Sequence, residues 1–161
     1  MYLNCHSYYS LRYGTIKPER LLAIASENGI QTLALTDINN TSACLDFVRL
    51  SKNYKIKPVI GIDFRNRAKQ QFILIAKNNN GFYNINQYLS AFLHDSDLEI
   101  PEQAPQLEDT FVVYPYTHNK PYTLKANEFL GIKPQDLNHL KFSKWHTFRS
   151  KLVVLQTVSF E

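Results

Sequence analysis

Short apolar runs alternate with amphipathic stretches through the first half of the chain. Tyr2–Cys5 reads as a first strand, Gln31–Thr36 as a second, Pro58–Phe64 as a third and Gln71–Ala76 as a fourth. The later three are nearly all apolar, which marks strands covered on both faces. Between them lie helical patterns. Pro18 suits a first helical turn, where its missing N–H is harmless, and Leu21, Leu22 and Ala25 make an apolar stripe that Gly29 ends. Asn40 can cap a second helix from Thr41 to about Lys52, with Ala43, Phe47, Val48 and Leu50 inward. Asn80–Gly81 reads as a break before a helix over Phe82–Phe92. Strand–helix alternation of this kind predicts an α/β fold, mostly parallel strands with helical cover.

The second half is less regular. His94–Leu107 is acidic and holds Pro101 and Pro105, so 94–110 reads as an irregular insertion. Phe111–Tyr114 is a further strand. Leu124–Leu130 and Pro134–Leu140 are short helix candidates separated by Gly131, Ser143 can cap a third carrying Trp145 and Phe148, and Leu152–Thr157 is the last strand. No internal repeat is visible.

Composition adds bounds. A chain of 161 residues can bury one respectable core. The formal net charge of +4 hints at nucleic acid. Its bases are spread over Lys52, Lys55, Lys57, Arg65, Arg67, Lys69, Lys141, Lys144, Arg149 and Lys151, so a solvated surface is the favoured reading. Arg65–Lys69 is expected in a hairpin between two strands. Cys5 and Cys44 are too far apart for a C-x-x-C pair and read as buried free thiols. His94, His118, His139 and His146 match no zinc spacing. Tyr8, Tyr9, Tyr13 and Arg12 form an aromatic–basic cluster whose expected role is packing. No P-loop, nucleophile elbow or dinucleotide fingerprint is present. No apolar run reaches the roughly 20 residues of a membrane span, and no signal peptide follows Met1. A soluble, cytoplasmic protein is expected.

Candidate chemistry begins at Asn4 and His6. On a strand, residues two apart face the same way, so two imidazoles there could converge on one ion. Here one of the pair is an amide, a poor ligand for a transition metal. The segment YLNCHSYYSLRYG (Tyr2–Gly14) is followed by TLALTDINN (Thr32–Asn40), KPVIGIDFR (Lys57–Arg65) and FILIAKNNNGFYNI (Phe72–Ile85). In this order the four resemble the opening of the PHP (polymerase and histidinol phosphatase) domain. More narrowly, they resemble the PHP domain at the N-terminus of the bacterial DNA polymerase III alpha subunit.

That resemblance implies a distorted (β/α) barrel, of which residues 1–161 would be one PHP-like domain, the first part of a larger barrel still unfinished at Glu161. An N-terminal piece or a short homologue is expected. It also implies a set of metal-site positions, and most are altered. The family's first His stands as Asn4 and the second is kept as His6. Tyr13 replaces an acid. Asp37 is kept, but Ile38 replaces the His after it. Asp63 replaces a Glu, and Gln71 a His. In LVVLQTVSFE (Leu152–Glu161), Ser159 takes the place of a His. Too few charged or imidazole groups remain to offset desolvation of divalent ions, so neither metal nor other cofactor is expected.

Further expectations concern this remnant. Asp37 would bond the turn at Asn39–Asn40, and Asp63 would lie exposed at a strand end. Asn4 and Gln71 would bond each other or nearby backbone, and Ile38 would close the pocket under Tyr13. The favoured function is a non-catalytic structural and docking module. By resemblance, its partners would be the rest of a polymerase alpha subunit, a proofreading exonuclease subunit, and DNA through the parent polymerase. The alternatives are a metal-dependent phosphoesterase or 3′–5′ exonuclease, and a free-standing basic nucleic-acid-binding protein.

Overall fold

The structure, a computed structural model, describes residues 1–94, 98–117 and 123–159. Glu161, His118 and two acids of the acidic stretch, Asp95 and Asp97, lie outside the described residues.

The element order is β1 (Asn4–Cys5), α1 (Pro18–Glu27), β2 (Thr32–Leu35), α2 (Cys44–Ser51), β3 (Lys57–Asn66), β4 (Lys69–Ala76), α3 (Asn79–His94), β5 (Thr110–Pro115), β6 (Glu128–Ile132), α4 (Leu137–Lys141), β7 (Leu152–Val154) and β8 (Thr157–Val158). The six strands β2 to β7 hydrogen-bond in sequence order, and β1 pairs with β8. Pairing is parallel except where β4 runs antiparallel to both β3 and β5. The expected mixed α/β, mostly parallel architecture is therefore present, curled rather than flat.

Curling follows from the last apolar run. It is bent at Leu155–Gln156 into β7 and β8, not one strand as the apolar pattern suggests. Its first half pairs with β6 and its second half with β1. Gly131 of β6 lies against Leu155, where a β-carbon would collide with that side chain. This explains why 124–130 is not helical: the run Glu128–Ile132 is recruited as a strand between β5 and β7. A short apolar run has no periodicity of its own to resist such pairing.

Alternation along the strands sorts the core. One face of β3 to β6 (Ile62, Phe64, Phe72, Leu74, Val112, Leu130) packs under α3 through Ile85 and Leu89. Helices α1 and α2 cover β2 with Leu21, Leu22, Ala25 and Phe47 against Leu33, Leu35 and Cys5. The opposite face of the curl is filled by Ile73, Ile75, Val113 and Leu155.

One local expectation changes. Asn80–Gly81 is no break, because α3 starts at Asn79 and Asn78 Oδ1 caps it by accepting from Gly81 N at 2.9 Å. Glycine is needed there because the helix passes so close to the Asp109 carbonyl that a β-carbon would overlap it. The described residues after α3, 98–109, form no helix or strand, yet Ile100 and Ala104 are buried in the α3 core and Asn66 holds both N–H and C=O of Ile100. Among the described residues, no helix is long and apolar enough to cross a membrane.

Candidate functional site

Strand β1 runs parallel to β8 and β2 to β3, and Tyr2 bridges Leu33 in parallel register, so the carboxyl ends of these four gather on one rim, where open α/β sheets usually place polar groups. Asn4, His6, Thr36, Asp37, Asp63 and Ser159 are all buried there. Ile38 bridges to Asp63 in parallel register, which sets Asp63 level with the end of β2.

His6 is the hub. Its Nε2 faces two oxygen acceptors, Asn4 Oδ1 at 3.0 Å and Asp63 Oδ2 at 3.1 Å. Its Nδ1 lies 3.1 Å from the Ser159 hydroxyl. Asn4 is held in turn by Thr36, whose hydroxyl donates to Oδ1, and by Thr157, which accepts from Nδ2. The polar face of β1 is thus closed by hydrogen bonds, while Cys5 points the other way into the α1–α2 core. Burial there, reinforced by the nearby Asp37 charge, pushes the Cys5 thiol up to about 12.

Arg65 is the group the sequence did not point to. It was grouped with the surface bases, yet its side chain is only 12% exposed. Both Nε (3.0 Å) and Nη2 (2.7 Å) donate to Asp63 Oδ2. Asp63 itself is completely buried, not exposed at a strand end. Its other oxygen, Oδ1, is buried and meets no donor among the described residues. The Arg65 guanidinium lies 5.2 Å from the centre of the Tyr13 ring, so Tyr13 covers the guanidinium rather than Ile38. A register shift between Phe64 and Arg65 accompanies this placement. The available signal was the Asp63–x–Arg65 spacing, two residues apart on one strand.

The remaining predicted residues divide. Asp37 does not serve the Asn39–Asn40 turn. It accepts from Ser7 N (2.6 Å), Ser7 Oγ (2.7 Å) and Ser10 Oγ (2.6 Å), pinning the loop after β1 to the end of β2. Ser10 Oγ also accepts from Ile38 N at 2.9 Å. Asn39, at φ 47°, instead exchanges two bonds with the Arg65 backbone. Ile38 is only half-buried. Gln71 does not join the cluster: its amide reaches the Lys69 carbonyl at 3.5 Å and never meets Asn4. Among the described residues, no three His, Cys, Asp or Glu side chains stand close enough to share an ion.

A model of the PHP domain matches residues 3–126. The chain is 30% identical over 105 residues to DNA polymerase III subunit alpha of Ureaplasma parvum serovar 3, covering 65% of this chain and 11% of that one. It is 31% identical over 118 residues to DNA polymerase III subunit alpha of Mycoplasma genitalium, covering 70% and 13%. An error-prone DNA polymerase of Symbiobacterium thermophilum matches at 31% over 91 residues, covering 56% and 8%. The chain thus spans only about a tenth of the length of these curated relatives. Among solved structures, an amidohydrolase from Chromobacterium violaceum with bound sulfate and no metal superposes over 99% of this chain and 87% of its own, with a TM-score of 0.58 at 10% identity. That likeness is one of fold.

Proposed function

This chain belongs to the PHP domain family, and from that premise we propose that it is a non-catalytic structural and docking module of a DNA polymerase III alpha subunit. The observation that carries the proposal is the Arg65 guanidinium, 2.7 Å from Asp63 in the middle of the rim. A divalent-metal site needs several anionic or imidazole donors with free lone pairs. Of the anionic and imidazole side chains described at the rim, Asp37 is taken up by Ser7 and Ser10, which leaves His6 and Asp63. Both nitrogens of His6 are engaged, and the Asp63 oxygen facing them is already shared with a cation. The donor set does not fit a metal, because the guanidinium already supplies the positive charge that a metal would bring.

Hydrolysis of phosphoesters in this fold would need a metal-activated water. A phosphoesterase or 3′–5′ exonuclease is therefore the weaker reading; the unpartnered Asp63 Oδ1 is the one feature in its favour. The docking role follows from the kinship with polymerase subunits. Its partners would be the rest of an alpha subunit and a proofreading exonuclease subunit, in the cytoplasm. Elemental analysis of protein purified without chelator, paired with a phosphomonoester assay and a single-strand exonuclease assay, tests the reading. The expected result is far below one metal per chain and no turnover above background. About one zinc or manganese per chain, lost in Asp63→Ala together with turnover, would overturn it.

A further inference from the structure

One late segment of the chain carries bases and no acids. The chain has 18 Lys and Arg against 14 Asp and Glu. Residues 137–151 hold four of the bases (Lys141, Lys144, Arg149 and Lys151) and no acid, so the rest of the chain is balanced at 14 of each. This segment lies beyond the residues matched by the PHP model, which end at 126.

Its structure separates anchors from exposed groups. Trp145 is buried in the α3 core, with Leu140 packed beside that cluster. Lys151 Nζ donates to the carbonyls of Lys125, Ala126 and Glu128. Lys141, Lys144 and Arg149 are left at the surface. Between them stand two exposed rings, Phe142 at 92% and Phe148 at 52%. Phe148 packs its inner side on Trp145, centroids 5.7 Å apart, and the Lys144 ammonium lies 5.4 Å from the Trp145 ring centre. A folded segment has thus fixed its tryptophan inward and kept two phenylalanines and three cations outward.

We propose that residues 137–151 form a binding surface for single-stranded nucleic acid. Cations serve the phosphates, and exposed rings offer faces on which unpaired bases stack whatever their identity. An acidic protein partner is the competing occupant, since protein interfaces also use aromatic rings, and polyglutamate stands for it in the test. Three free cations neutralise about three phosphates, giving a log–log salt slope of about −2 for a single strand. The proposal is independent of the metal question, since none of these residues belongs to the His6 cluster.

The test is fluorescence anisotropy of a labelled oligothymidylate titrated with the full chain, with chelator present, between 50 and 200 mM salt. Saturable binding with a slope of about −2 is expected. Phe142→Ala should weaken it by about 5- to 100-fold, as loss of one stacked base does. Lys144→Gln should flatten the slope by about 0.7. Two substitutions at other exposed sites, Tyr83→Ala and Lys52→Gln, should bind as the parent does. Phe142 is almost wholly solvated, so its variant should keep its fold, which circular dichroism checks. Three outcomes would overturn the proposal: no saturable binding at 50 mM salt, full affinity in a Phe142→Ala/Phe148→Ala variant, or equal binding of polyglutamate, which would point to an acidic protein.

Discussion

Replacing Arg65 by Met removes the guanidinium bonded to the wholly buried Asp63 carboxylate. Methionine keeps much of the apolar stem, so the change isolates the charge. Breaking a buried pair by deleting one partner typically costs about 3–5 kcal/mol, because the other charge is left uncompensated. Coulomb attraction at roughly 4 Å with an effective dielectric constant near 20 gives about 4 kcal/mol, in the same range. Asp63 keeps its contact with His6, so the lower half of the range is expected, about 3–4 kcal/mol. Asp63→Asn alone should cost less, about 1–3 kcal/mol, since Arg65 at the rim can swing its head toward water. The double variant Asp63→Asn/Arg65→Met should recover, lying within about 2 kcal/mol of the parent, because no unpaired charge remains. Urea melts of the four proteins close the cycle, with a shared m-value as the check on two-state behaviour. The reasoning is refuted if Arg65→Met melts within about 1 kcal/mol of the parent, a cost typical of a surface ion pair. It is equally refuted if stoichiometric zinc restores Arg65→Met, since the donor set would then accept a metal.

Asp37→Ala should destabilise by about 3–5 kcal/mol, because three short bonds to a buried carboxylate are lost and the Ser7 N–H is orphaned; limited proteolysis should then cut within residues 7–14. Gly81→Ala, which on helix propensity alone would gain about 1 kcal/mol, should instead cost about 1–3 kcal/mol, because the obstacle is the Asp109 backbone; a thermal melt gives the sign. Cys5 and Cys44, each raised to about 12 by burial, should resist a thiol reagent at pH 8 while folded, and both should react once unfolded. The sign of the linkage follows. Both thiols are protonated in either state below pH 9, so their contribution is complete there. It is lost as pH rises from about 9 toward 12, where the unfolded chain ionises first, and a Cys44→Ala variant should show a shallower fall across that window.

The position of Arg65 also bears on how this buried polar rim keeps its fold. A buried carboxylate retained without a counter-charge is costly. Here Asp63 stays because a guanidinium on its own strand reaches it, and because Asn39 ties the Arg65 backbone from the other side. Ser159 and Asn4 then meet the imidazole with neutral groups, and the two threonines hold Asn4 in turn.

Much of this was legible in the sequence alone. Nearly all-apolar runs separated by amphipathic stretches imposed the mixed, mostly parallel architecture, because strand and helix periods are local properties. Four ordered segments carried the PHP kinship. The tertiary structure decided the rest. Whether 128–132 is a strand depended on β5 and β7 flanking it, and the bend that splits β7 from β8 depended on β1, whose Asn4 meets Thr157 from 153 positions away. The partner of Asp63 depended on a shift of register after Phe64, and Gln71, left unpaired by that shift, bonds the Lys69 carbonyl rather than the cluster. Faces and periods are set by neighbours in sequence; a buried charge finds its counterion, and a short apolar run its pairing, only through neighbours in space.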